Sequence, residues 1–320
     1  MCDERTEAEN VDYLARMQLK RREWGIGAGA MVAAFVAGCN AESTSTVPSP
    51  AGDVREPNAS GAPESAPASP GPDAASVHGQ MVTIPTPDGE AEAFYVTPAE
   101  GRHPAVLIWP DVAGLREAFE AMATRLASEG YAVLAVNQYY RSSKLPILET
   151  FSQWRTEEGK TKIAPMREAV TADGVTRDGA AFVAWLDARP EVDPDRKIGS
   201  SGYCMGGPFT FRTAAASPTR VGAIASFHGG GLVGDAPDSP HALMSSMQAA
   251  ALVCIAHNDD EREPEAKDVL RRSAETAGLE AEIEVYPAQH GWCVLDSPVY
   301  DEEQAERAWT RMLATFDAKL

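Results

Sequence analysis

The stretch "IGSSGYCMGGPFTF", Ile198 to Phe211, sets a thiol on almost bare backbone. Small and β-branched residues lead to Gly202, and a helix-like run follows Gly206 and Gly207. The pattern predicts a strand, a sharp corner and a helix, with Cys204 at the corner. Side chains at 202 and 206 would collide across so tight a turn, and glycine removes them. Such a corner lifts the cysteine out of the backbone at some cost in strain. It also sets the sulfur at a helix N-terminus, where unpaired N–H groups favour thiolate. The Met205 N–H would face an oxyanion there. A buried, inert cysteine is the plain alternative for such a residue. Cys254, inside an apolar strand, is assigned that role.

Outward from this corner the chain alternates strand and helix. "MVTIPTPDGEAEAFYVTP" reads as a hairpin around Pro87-Asp88-Gly89. "PAVLIWP" (104–110) and "AVLAVN" (132–137) suit buried strands. Phe119, Met122 and Leu126 lie at helical spacing in a segment that stops at Gly130. A second helix carries Phe182, Val183 and Leu186 on its apolar stripe. Strands follow at "KIGSSGYC", "VGAIASFHG", "AALVCIAHN" and "AEIEVYP". Between the last two lies a helix with Pro264 near its first turn, and an amphipathic helix closes the chain. This order predicts an α/β fold with a mostly parallel sheet covered by helices on both faces. Ligands in such sheets bind beyond the carboxyl ends of the strands.

Three chemically able residues fall at those ends. Cys204 follows one strand, Asp259 and Asp260 the next but one, and His290 the last. Nucleophile, acid, histidine is the chain order of α/β-hydrolases. "GYCMGG" (202–207), "HNDDEREP" (257–264) and "HGW" (290–292) together resemble the dienelactone hydrolase family over roughly residues 79–320. That resemblance implies Cys204 as nucleophile, His290 as base and an aspartate as the orienting acid. The family's acid usually lies four residues before a proline, so Pro264 points to Asp260, with Asp259 as the close rival. "IWPDVAGL" (108–115) resembles the loop whose carboxylate contacts the resting thiol and whose next N–H completes the oxyanion hole. Those residues would be Asp111, shorter than the family's usual glutamate, and Val112. "NQYYR" (137–141) resembles the segment whose arginine holds a substrate carboxylate, which would be Arg141. The second family arginine, shortly after the histidine, is replaced by Val294. The pocket is therefore expected to be more aromatic, with Trp292 as either a wall or core packing. His228 is read as structural.

The implied activity is hydrolysis of an ester or lactone through a thioester on Cys204. Alternatives on the same fold are a thiol-based redox protein with Cys293 as resolving residue, or a tethered binding protein without chemistry. No cofactor is expected, since nothing matches a P-loop or a dinucleotide fingerprint. No Cys/His cluster has zinc-like spacing. Five cysteines at irregular spacing are no disulfide framework. The 320 residues carry a net charge of −19, which argues against nucleic acid as partner. Oligomeric state is not readable.

The N-terminal region divides differently. Residues 1–39 are read as an export signal: Arg21 and Arg22 resemble a twin-arginine motif, and a short uncharged run ends in a lipobox-like Val36-Ala37-Gly38-Cys39. Residues 40–78 are a Ser-, Pro- and Ala-rich tether that cannot bury enough apolar surface to fold. Residues 79–320 are the catalytic domain. A lipidated Cys39 would hold that domain at a membrane in the cell envelope.

Overall fold

The structure is a computed structural model that describes residues 4–23 and 76–320, with side chains at 5–16 and 76–320. Cys39, the uncharged run before it and the tether to residue 75 lie outside the described residues. Strands β1 (Val77–Thr86) and β2 (Gly89–Pro98) form the expected hairpin, and β1 begins two residues ahead of the expected boundary. They are followed by β3 (Ala105–Trp109), β4 (Ala132–Val136), β5 (Ile198–Tyr203), β6 (Val221–Phe227), β7 (Ala250–Ala256) and β8 (Ala281–Tyr286). The sheet order is β1-β2-β4-β3-β5-β6-β7-β8. The β1/β2 and β2/β4 pairs are antiparallel, and every later pair is parallel.

The short central strands bury both faces, as a parallel sheet sandwiched by helices requires. In β3, Ala105, Leu107 and Trp109 enter one core cluster, and Val106 and Ile108 enter the opposite one. Helices α2 (Glu117–Ser128) and α10 (Glu302–Lys319) cover the second cluster with Phe119, Met122, Leu126, Met312 and Phe316. Helices α5 (Ala172–Asp187), α6 (Gly207–Ala216) and α9 (Ala266–Ala277) cover the first with Phe182, Leu186, Phe211 and Leu270. Each such fully buried side chain contributes about 1.5–3 kcal/mol.

Four further helices lie outside the expected alternation. They are α1 (Glu4–Glu23), α3 (Phe151–Trp154), α4 (Glu157–Ala169) and α7 (Pro240–Leu243). The segment after β7 forms the short helix α8 (His257–Arg262). Pro264 precedes α9, which starts at Ala266, instead of lying in its first turn. A third, smaller cluster joins Val112, Tyr139, Ile147, Phe151, Trp154 and Cys204 over the carboxyl end of the sheet. Residues of α1 pack on this same end: Thr6, Glu7 and Asn10 are buried.

Candidate active site

Cys204 stands at φ +54°, in the left-handed region that non-glycine residues rarely occupy. The two glycines hold the corner as the sequence predicts. A Cβ on Gly202 would lie 2.0 Å from the Gly206 carbonyl oxygen, and one on Gly206 2.3 Å from the Trp109 carbonyl oxygen. The corner thus packs backbone against backbone, and the thiol at its apex is 1 % exposed. Strain of this kind persists only where the surroundings hold it, and it concentrates at functional positions.

His290 lies beyond β8, and its Nδ1 is 2.7 Å from Asp259 Oδ2. The carboxylate beside the imidazole is therefore Asp259 rather than the expected Asp260. In α8 successive side chains point about 100° apart. Once Asp259 faces the histidine, Asp260 is turned away, and its Oδ1 accepts from Lys267 Nζ at 2.6 Å. The His290 main-chain N–H donates to Asn258 Oδ1 at 2.8 Å, which fixes the loop as well as the ring. The second oxygen of Asp259 is bonded by Arg262. Burial raises the Asp259 carboxyl, but the His290 pair and Arg262 outweigh it and hold it below its ordinary value. Burial disfavours a charged His290, yet the charges of Asp259 and Cys204 raise it to about 9. Its Nε2 closes no hydrogen bond of good geometry among the described residues, while the nearby sulfur still raises the ring's proton affinity.

Val112 packs in one cluster with Cys204, and Met205 lies against it. The Tyr139 hydroxyl donates to the Val112 carbonyl at 2.9 Å and sits 3.0 Å from the Met205 sulfur. It thereby links the two backbone segments expected to hold an oxyanion.

The other expected residues are engaged elsewhere. Asp111 is held by neighbours of its own, while the charge of Cys204 also acts on it. Both of its oxygens are bonded by Arg116, at 2.8 and 2.9 Å, and one also accepts from the Ala113 N–H. Arg116 bonds Asp296 as well, at 2.7 and 2.8 Å, which ties this loop to the segment beyond His290. Arg141 is paired within the fold. Its guanidinium spans Asp178 at 2.7 and 2.8 Å and Asp88 at 2.6 Å, pinning the β1–β2 turn to α5. Trp292 is fully buried, stacked on Tyr286 and edge-on to His228. It is packing behind the site, not a pocket wall. Cys293 belongs to the cluster beneath the sheet and Cys204 to the one above its end; both are free thiols.

Sequence reasoning missed Asn258, Arg262 and the cover formed by α1. Asn258 reaches both His290 and Glu9. Arg262 reaches both Asp259 and Thr6. Asn10 donates to the His290 carbonyl at 3.1 Å. Beside them a cavity of about 350 Å³ is lined by Gly229–Gly231, Asp259 and Arg262, and by Arg5 of α1. The only hint in the sequence is the position of "HNDDER" after a strand end.

The Dienelactone hydrolase family model matches residues 91–320, which span the sheet from within β2 onward and include Cys204, Asp259 and His290. The chain belongs to the dienelactone hydrolase family. A Salmonella typhi protein provisionally named carboxymethylenebutenolidase is 28 % identical over 243 residues, 74 % of this chain and 86 % of its own. The carboxymethylenebutenolidase of Pseudomonas sp. strain P51 is 24 % identical over 225 residues, covering 70 % and 89 %. Among solved structures, a provisionally named dienelactone hydrolase from Klebsiella pneumoniae aligns at TM-score 0.65 and 26 % identity, over 76 % of this chain and 99 % of that one. This family membership makes the protein a dienelactone hydrolase-like hydrolase.

Proposed function

We propose that the protein hydrolyses a carboxylic ester or lactone through Cys204, His290 and Asp259. The observation that carries this is the 2.7 Å bond from His290 to Asp259, behind an imidazole that responds to the charge of a strained, elbow-mounted cysteine. His290, with its proton affinity raised, takes the thiol proton or already holds it, and the sulfur reacts as thiolate. The sulfur bonds to the carbonyl carbon, and the carbonyl electron pair moves to oxygen. The N–H groups of Met205 and Val112 receive that oxyanion; one such donor is worth on the order of 3 kcal/mol. Collapse breaks the bond to the leaving alkoxide, which takes the proton from His290, and a thioester remains. Neutral His290 then removes a proton from water, which attacks the thioester. Cys204 leaves as thiolate and the acid departs. Asp259 keeps the imidazole in the productive tautomer throughout.

With Arg141 committed to Asp88 and Asp178, neutral esters and lactones fit the site better than the acidic substrates the resemblance implies. Cys204→Ala should abolish turnover of p-nitrophenyl acetate. Retained turnover in a folded Cys204→Ala protein would sink the assignment. We further read residues 1–39 as an export signal and Cys39 as a lipid attachment point, placing the mature domain in the cell envelope. Arg21, Arg22 and the lipobox-like run support this reading. Palmitate labelling that survives Cys39→Ala would contradict it.

A further inference from the structure

His228 follows β6 and is 1 % exposed. Its backbone lies at φ +40°, making it, with Cys204, a left-handed non-glycine residue at the same sheet edge. Its N–H still completes the sheet by donating to the Cys254 carbonyl at 2.8 Å, so the strain lies in the side-chain-bearing corner. The ring centroid is 4.7 Å from that of His290 and 5.3 Å from that of Trp292. Tyr203 is farther away, at 6.3 Å. Neither ring nitrogen closes a hydrogen bond of good geometry among the described residues, and a buried imidazole in that condition is costly. The Cys204 sulfur acts on it as a side-chain hydrogen-bond partner, and the charges of His290 and Asp259 act on it as well. Packing alone would be met by an apolar side chain at lower cost, without the strained backbone.

We infer that His228 is a catalytic N–H donor to the Cys204 sulfur, holding the thiolate in place while His290 carries the proton. This rests on Cys204 being the nucleophile. Two imidazoles around one sulfur can divide the labour because their surroundings differ. Burial and the neighbouring His290 keep His228 below its ordinary value, against the pull of Cys204, so it stays neutral and keeps an N–H to donate. His290, backed by Asp259, is pushed the other way.

The test measures the pH dependence of iodoacetamide alkylation at Cys204, together with p-nitrophenyl acetate turnover. His228→Asn retains a neutral donor and tolerates the left-handed backbone. His228→Gly removes the donor and the strain together. The glycine variant should shift the alkylation midpoint upward by about one pH unit or more and lower kcat/KM ~10-fold or more; the asparagine variant should recover most of both. Identical alkylation midpoints in wild type and both variants would overturn the inference. Cys204→Ala separates the outcomes: turnover surviving it removes the nucleophile itself, whereas its loss with unmoved midpoints removes only the role of His228. If the glycine variant does not fold, the ¹⁵N shifts of the His228 ring in wild type and Cys204→Ala read the same bond. They should differ, and identical shifts would refute it.

Helix α1 carries an independent inference. Thr6, Glu7 and Asn10 are polar, yet each is under 9 % exposed. Glu7 accepts from Arg155, just past α3, at 2.6 Å. On the opposite side Arg262 donates to Thr6 at 2.8 Å and Asn258 to Glu9 at 3.2 Å. The helix therefore bridges both banks of the site, where the Cys204 thiol and the His290 ring are buried. We propose that α1 is an autoinhibitory plug of the uncleaved chain: while it is seated no substrate carbonyl reaches the sulfur, and turnover requires its displacement or its removal together with the leader.

In the full chain, Glu7→Arg sets like charges together at Arg155, and adding Arg155→Glu restores the pair with reversed signs. Glu7→Arg should raise both turnover and Cys204 alkylation ~10-fold or more, and the double variant should return both toward wild type. Unchanged rates in Glu7→Arg, or turnover that falls while alkylation holds, would refute the plug; the second result would make α1 part of the substrate site.

Discussion

Two aspartates at the carboxyl end of the same sheet, Asp111 and Asp259, have arrived at different work. Each has an arginine a few residues further along the chain, Arg116 or Arg262. Asp111 meets its arginine with both oxygens, in a fork that is almost wholly buried. Asp259 gives one oxygen to Arg262 and keeps the other for His290. Position beyond a strand does not make a carboxylate catalytic. What decides is whether its partners leave an oxygen for the imidazole. The Asp111 fork is architecture: it locks the loop bearing Val112 to the loop bearing His290 through Asp296.

The largest effect should come from the free side of this comparison. Asp259→Asn should leave the fold intact and lower kcat by ~10⁴-fold, because the amide favours the wrong imidazole tautomer. A loss of less than about tenfold would mean that the two aspartates do not differ as described. Arg116→Ala should act on stability, leaving Asp111 buried with its charge uncompensated. About 3–5 kcal/mol should be lost in denaturant unfolding, and an unchanged midpoint would show the fork to be ornamental.

The pH dependence of stability sharpens the contrast further. His290 is held at about 9 in the folded protein, against an ordinary 6.5. Its interactions with Asp259 and Cys204 therefore contribute in full below the ordinary value, and the contribution is lost as pH rises through about 9; together they amount to about 3 kcal/mol. Asp259, held low, acts oppositely: its contribution stands above the usual carboxylate range and fades as pH falls through its folded value. Tm in the wild type should thus decline on the alkaline side more steeply than in Asp259→Asn; parallel curves would contradict the raised His290.

Much of this was legible because it is local. The Gly202–Gly206 corner is a contact between near neighbours, and the alternating strands carry their own periodicity, so the sheet, the elbow and the order of Cys204 and His290 could be read directly. The roles that could not be read depend on distant partners. Arg141 is claimed by Asp88 and Asp178, 53 and 37 residues away, which no spacing rule reveals. The choice between Asp259 and Asp260 turns on one step of a short helix. Helix α1 escaped notice because its docked face is polar and has no apolar stripe to find.

The smaller effects test those long-range partners. Arg141→Gln should lower Tm by a few degrees, while the ratio of kcat/KM for acidic and neutral esters stays within about twofold. A selective loss on acidic esters would return Arg141 to the binding site. Asp260→Asn, at a carboxylate paired with Lys267, should change kcat/KM by less than about twofold; a loss comparable to that of Asp259→Asn would reverse the assignment of the acid.

The central claim is that the Cys204 sulfur carries the acyl group. The most direct measurement is peptide mass mapping of enzyme quenched in acid during turnover of p-nitrophenyl acetate. The account predicts one acetyl group, on the peptide containing Cys204, that disappears on longer incubation and is absent in Cys204→Ala. An acetyl group on another residue, or turnover through Cys204→Ala with no adduct at all, would contradict it.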